Sequence, residues 1–271
     1  MKAVGGAAAA DAPERRAAVG RTALDDEAWR DLHAAAAAPY RRAGRFSGHW
    51  ARGKLGRDPV FRSLIEGGRL PASARVVDIG CGQGLLASLL QAATDMAARG
   101  DWPAAWPPPP SATAYTGIDL SAREIARGQA ALGGLPLASS LLCADMRSAA
   151  LPACNLVVIL DVLHYVDPVA QLDVLQRVVA ALAESAEVGR LLLRVGDAAS
   201  SRGFAISQWV DRVVTGFRGH RTAPTFGRPL DEWVALLEGL GFAVESQPMS
   251  RGTPFANVLL VCDLNPPGRP A

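Results

Sequence analysis

Three acidic residues, Asp78, Asp119 and Asp145, each stand where an apolar run gives way to a turn, in VVDIGCGQG, AYTGIDLS and SLLCADM. The first is followed at once by Gly80, Gly82 and Gly84. A strand that breaks into alternating glycines before a helix lets a ligand approach bare backbone and the helix N-terminus. Dinucleotides and S-adenosylmethionine (SAM) are two large ligand classes held this way. A carboxylate ending the next strand, here Asp119, can accept both ribose hydroxyls through charge-assisted hydrogen bonds. Asp145, ending the third, can accept an adenine amino group or cap the turn that follows it.

Spacing separates the two ligands. The dinucleotide fingerprint Gly-x-Gly-x-x-Gly requires a glycine where this chain has Leu85, and the acid lies farther on than the usual ~20 residues. A nicotinamide-dependent oxidoreductase is therefore the weaker reading. A SAM-binding protein that senses or assists without transferring a methyl group is a third.

The elements that must position these residues follow from periodicity. ARVVDI, AYTGIDL, SSLLCAD, NLVVIL and GRLLLRV read as strands, with GLLASLLQAA, SAREIARGQAAL and DPVAQLDVLQRVVAALA as helices between them. Ser121 and Glu124 form a capping-box signature, and Asp167-Pro168 marks an N-cap followed by proline at the first helical position. Trp233, Leu236, Leu237 and Leu240 share one face of a last helix closed by Gly241. Strand-helix alternation predicts an α/β fold, a mostly parallel sheet with helices on both faces. The final strands, FAVESQPM and NVLLVCD, have no helix between them and should pair antiparallel.

Ahead of this pattern, TALDDEAWRDLHAAAAA reads as a helix ending before Pro39 and capped by Thr22, followed by short helices and turns in a Gly-, Arg- and aromatic-rich stretch. The expected organisation is a disordered tail over 1–21, a helical cap over 22–73, a ligand-binding domain over 74–263 and a tail over 264–271. Two inserts interrupt the domain, 94–114 and 197–228. The proline run of the first cannot be core, and the second contains a helix-like stretch bearing Phe204, Trp209, Val213 and Phe217.

VVDIGCGQG, YTGIDLS, CADM and LVVILDVLHYV, in this order, resemble the successive motifs of class I SAM-dependent methyltransferases over roughly Ala74 to Asp263. The resemblance implies a Rossmann-like fold, a seven-stranded sheet with its last strand antiparallel, and SAM as cofactor. It would place Asp78, Gly80, Cys81 and Gly82 at the methionine end of SAM, Asp119 on the ribose and Leu120 against the adenine. Asp145 and the Met146 backbone would read the adenine edge, and Asp161 would approach the methionine portion. The same resemblance puts His164 near the site of methyl delivery, as a general base or as packing beside the cofactor. Tyr165, Trp209 and His220 are candidate acceptor contacts. Arg52 and Lys54, with Tyr40, Phe46, His49 and Trp50, cover the pocket or form a solvated face.

The acceptor class follows from exclusions. DVLHY lacks the Asn/Asp-Pro-Pro-aromatic box of amino-group nucleic-acid methylases, and Cys154 follows Ala153 rather than the proline of cytosine-5 enzymes. A net charge of +2 gives no global field toward nucleic acid. A small-molecule acceptor is expected, and the blocks GRFSGHWARGKLGRDPVF and MSRGTPFANVLLVCD are similar to methyltransferases of bacterial aryl polyene pathways, implying a phenolic or carrier-linked aromatic. Four scattered cysteines without ligand spacing predict neither a metal site nor a disulfide scaffold. With no apolar run of membrane-spanning length, a cytoplasmic monomer or homodimer is expected.

Overall fold

The computed structural model describes residues 23–185, 187–196, 225–249 and 257–264. Trp209, His220, the helix-like stretch around them, the Thr22 cap and the turn between the last two strands lie outside the described residues.

Seven strands form one sheet: β1 (Ala74–Ile79), β2 (Ala112–Asp119), β3 (Ser139–Cys143), β4 (Leu156–Leu160), β5 (Gly189–Gly196), β6 (Phe242–Pro248) and β7 (Asn257–Leu264). Their order is β3-β2-β1-β4-β5-β7-β6. The first five pair in parallel, and β7 runs antiparallel to both β5 and β6. The final strand thus inserts between β5 and β6 and leaves β6 on the edge. The order reverses between β1 and β4, which opens a crevice beyond their C-terminal ends.

Pleating sorts strand residues onto two faces. Val76, Leu156, Val158 and Leu192 join the core beneath the N-terminal helices, whereas Val77, Ile159, Leu191 and Leu193 join the opposite core. The same alternation puts Asp78 and Arg194 on the first face, two polar residues at strand ends where the crevice lies. Helices α1 (Ala23–Ala37), α2 (Arg45–Arg57), α3 (Pro59–Glu66), α4 (Leu85–Ala98) and α5 (Ala122–Leu132) belong to that side. Helices α6 (Pro168–Ala183) and α7 (Leu230–Gly239) cover the other.

The N-terminal helices are stitched to the domain. Ser88 Oγ donates to the Ala36 carbonyl at 2.6 Å, and the fully buried Tyr40 donates its hydroxyl to the Gln83 carbonyl at 3.0 Å. Tyr40 is therefore core behind the glycine loop rather than pocket cover or solvated face. The stretch read as short helices and turns instead carries the thirteen-residue α2. Its glycines are poor helix formers, but they permit close packing. A Cβ on Gly48 would lie 3.2 Å from Arg41 Cγ, and one on Gly56 would lie 3.2 Å from the His33 ring. Tertiary contact outweighs propensity there.

Two further expectations change in detail. Helix α4 runs through Ala98, well into the first proposed insert. The proline-rich stretch beyond it is tied into the protein. Trp106 and Pro110 are buried, Trp106 packs edge-on to Trp102 at 5.2 Å, and Trp102 Nε1 donates to the Pro107 carbonyl. The capping box of α5 is half formed: Ser121 Oγ accepts from the Glu124 amide, but the Glu124 carboxylate turns to Gln83 Nε2 at 2.7 Å and Arg127 at 2.9 Å. The Asp167 cap of α6 forms as read, accepting from the Val169 and Ala170 amides. Among the described residues, no helix is long and apolar enough to cross a membrane.

Candidate functional site

A cavity of about 860 Å³ opens at the reversal point, between the ends of β1, β2, β4 and β5 and the wall of α2. Its floor is the glycine loop. The Gly80 and Cys81 amides both donate to the Ile118 carbonyl, at 2.7 and 3.1 Å, which bends the chain sharply after β1. Gly80, Gly82 and Gly84 take φ of 78°, 55° and 73°, the left-handed region that disfavours any Cβ. Two of them differ in what they face. A Cβ on Gly80 would lie 2.5 Å from Val162 Cγ1, whereas one on Gly82 would meet nothing within 4 Å. Gly82 leaves open space for a ligand against backbone.

Asp119 anchors the loop from β2. Its Oδ2 accepts from the Gly82 amide at 2.9 Å, and Oδ1 accepts from the Ser121 amide at 2.8 Å. Both donors are neutral backbone amides, and each carboxylate oxygen retains a lone pair for a further partner. Asp78 lies deeper. Burial pushes its carboxyl up to about 7, opposed by the Tyr115 hydroxyl donating at 2.5 Å and reinforced by the charge of Asp119. Burial also pushes the Cys81 thiol up, which removes it as a nucleophile and fits its place as packing against Gly117.

The opposite end is built from charges. Asp161, φ 59°, is the only non-glycine residue with positive φ among the described residues. Its Oδ1 accepts from Arg194 Nε at 2.8 Å, and the same guanidinium reaches Asp58 Oδ2 at 2.8 Å. Burial alone would raise the Asp58 carboxyl, but hydrogen bonds and charge from Arg194, with Lys54 behind them, hold it well below the usual carboxylate range. Beyond Asp161, the 3₁₀ turn Leu163–Tyr165 brings His164 and Tyr165 to the cavity, their rings 4.3 Å apart.

The cavity thus gathers Asp78, Gly80, Cys81, Gly82, Asp119, Asp161, His164 and Tyr165. Leu120, Asp145 and Met146 are not among its described lining. Leu120 is 64% exposed, and the Asp145 carboxylate accepts from the Arg147 side chain and amide, which hold its carboxyl below the usual range. Asp145 therefore makes the turn cap that its position also allowed. Trp209 and His220 lie outside the described residues.

Asp58, Arg194, Phe61, Glu124 and Trp233 also line the cavity and were not anticipated there. Two had legible signals. An arginine inside the apolar strand GRLLLRV must find anions when buried. Asp58-Pro59 repeats the cap-and-proline pattern of Asp167-Pro168, and Asp58 does cap α3 through the Val60 amide at 3.1 Å. Helix α2 supplies the outer wall with Phe46, His49, Trp50, Lys54 and Arg57.

The residues present suit SAM: a glycine floor with free space at Gly82 and, in Asp119, a carboxylate suited to ribose hydroxyls. Comparison with known proteins agrees. A family model described as a methyltransferase domain matches residues 48–247, most of the chain. A search of curated proteins finds no match. Among solved structures, magnesium protoporphyrin IX methyltransferase from Synechocystis PCC 6803 aligns at 16% identity and a TM-score of 0.51, over 93% of this chain and 92% of that one. An O-methyltransferase family protein from Burkholderia thailandensis aligns at 16% identity and 0.53, over 84% of this chain and 62% of that one. The pyocyanin biosynthetic protein PhzM aligns at 18% identity and 0.52, over 83% and 61%. At such identities the solved structures speak for the fold. The family match sets the nicotinamide reading aside, and the chain belongs to the class I SAM-dependent methyltransferases.

Proposed function

We infer that this methyltransferase acts on a small molecule carrying an aromatic ring, a phenol or a carrier-linked aromatic of the kind methylated in aryl polyene pathways. The observation that carries this reading is the aromatic share of the cavity lining: Phe46, Trp50, Phe61, Tyr165 and Trp233. Aromatic side chains supply flat apolar area and favour stacked or edge-on rings. At about 860 Å³ the cavity is near the top of the roughly 300–1,000 Å³ range of single-ligand pockets, so cofactor and a modest acceptor can share it.

SAM, when bound, would supply a methyl carbon activated on a sulfonium. Asp119 takes the ribose hydroxyls, and Gly80, Cys81 and Gly82 with Asp78 and Asp161 border the methionine portion. Leu120, Asp145 and the Met146 backbone, beyond the described lining, are the residues proposed for the adenine side, where Asp145 would have to exchange an Arg147 contact for the adenine amino group. His164 takes the proton that an acceptor hydroxyl must lose. The main contribution of the protein is alignment, since holding two reactants in line accounts for much of the barrier to such displacements.

The test is calorimetric titration with SAM and its demethylated product, followed by labelled-methyl transfer to a panel of phenols and carrier-linked aromatics. Asp119→Ala should lose SAM binding by two orders of magnitude or more, on the scale of about 3 kcal/mol for charge-assisted ribose contacts. With an acceptor in hand, His164→Ala should lower turnover about 10²-fold or more while SAM affinity holds. Equal loss of both would remove His164 as the base. Transfer only to non-aromatic acceptors would overturn the acceptor class.

A further inference from the structure

Arg194 lies between Leu193 and Val195 in the buried half of β5 and is 3% exposed. Its guanidinium forks onto two carboxylates at once. Nε and an Nη atom donate to the two oxygens of Asp161, and both Nη atoms donate to the two oxygens of Asp58. The second partner is 136 residues away in sequence. Asp58 ends α2, caps α3 and also takes Lys54 Nζ at 2.5 Å.

Asp161 sits in the left-handed region, a conformation that persists only where surroundings over-determine it. Its amide donates to the Arg194 carbonyl at 3.2 Å, so strand pairing and the fork act on one residue. The functional turn comes directly after Asp161: Val162 fills the space beside Gly80, and His164 and Tyr165 enter the cavity. A buried ion cluster is a poor way to gain stability, because desolvation offsets most of the attraction and apolar residues of similar volume do as well. The cluster gives geometry: a bidentate fork has one angle and one distance.

We propose that Arg194 is a positioning residue that latches the N-terminal helices to the methyl-transfer floor. By gripping Asp58 and Asp161 together, it makes the aim of the Leu163–Tyr165 turn depend on the docking of α2. The latch rests on reading that turn as the acceptor side, but its test needs no acceptor. Failure of the latch therefore leaves the acceptor assignment standing, and the reverse also holds.

Amide hydrogen exchange on the full chain tests it, using Asp58→Asn, Arg194→Lys and the double variant. Arg194→Lys keeps the charge and loses the fork. Each single variant should speed exchange both in α2–α3 and at the amides of Asp161, Tyr165 and Val166, by about tenfold or more beyond any rise in β4 and α6, which follows the global loss of stability. The double variant should exchange no faster than the faster single one, as expected for one coupled unit. The latch is overturned if Asp58→Asn loosens the N-terminal helices alone, if the two effects add, or if exchange rises uniformly across the sheet. Should Arg194→Lys fail to fold, Asp58→Asn decides by itself, since the amide keeps the volume of the carboxylate and an oxygen for the Val60 cap.

Discussion

Asp58 and Asp78 line the same cavity, and their carboxyls are driven in opposite directions. Burial is the strongest influence on both and would raise both. Asp78 has only a neutral donor, the Tyr115 hydroxyl, and feels the charge of Asp119, so it rises to about 7. Asp58 meets Arg194 and Lys54 and falls well below its ordinary value. The charge of the partner decides, rather than the depth of burial. The difference describes the two ends of the site. At the glycine-loop end, neutral donors hold the acids, and burial makes the Asp78 carboxyl reluctant to ionise. At the end formed with the N-terminal helices, the charges are neutralised within the protein and hold shape.

The largest test lies where the two ends touch. Gly80→Ala places a methyl 2.5 Å from Val162 at φ 78° and should cost about 4 kcal/mol in urea unfolding, from overpacking and left-handed strain together. A cost below about 1 kcal/mol would mean that the two ends are not packed as one unit.

Asp58→Asn should come next, at about 3 kcal/mol, because it strands part of a buried guanidinium. Asp78→Asn should be neutral or stabilising at pH 8, since it removes a buried acid that resists ionisation. Similar losses in both would erase the contrast.

The pH dependence sharpens the same contrast with opposite signs. Asp78 holds its proton longer in the folded chain, so stability falls as pH rises from about 4, the unfolded carboxyl range, to about 7. Asp58 releases its proton earlier when folded, so its contribution is in place above about pH 4 and is lost as pH drops below that. Urea unfolding from pH 3 to 8 should show the neutral-side decline vanish in Asp78→Asn and the acid-side decline shrink in Asp58→Asn.

Gly82→Ala should cost the folded chain less than Gly80→Ala. With open space around the new methyl, only the left-handed backbone resists, at about 1–2 kcal/mol. SAM affinity should nevertheless fall at least tenfold, because the methyl occupies space reserved for the ligand. Unchanged affinity by calorimetry would move the ligand away from Gly82.

Much of this architecture is legible in the order of residues. Strand and helix periods are local, so the parallel sheet, the antiparallel final pair and the Asp167-Pro168 start of α6 can be read directly. The glycine loop and the acids at strand ends are legible for the same reason. Helix α2 is not, because its glycines argue against a helix until Arg41 and His33 are packed on them. Nor are Trp106 and Pro110, which become core only when their stretch folds back on the N-terminal face.

The sequence by itself determined which residues end strands and therefore which edge of the sheet carries the glycine loop and the acids, since strand-end position is a property of neighbouring residues. Only the tertiary structure decided which carboxyl is held ionised by a cation and which is pushed toward its neutral form. The energy of a charge depends on its surroundings, and folding sets Arg194 beside Asp58 while leaving Asp78 with a tyrosine.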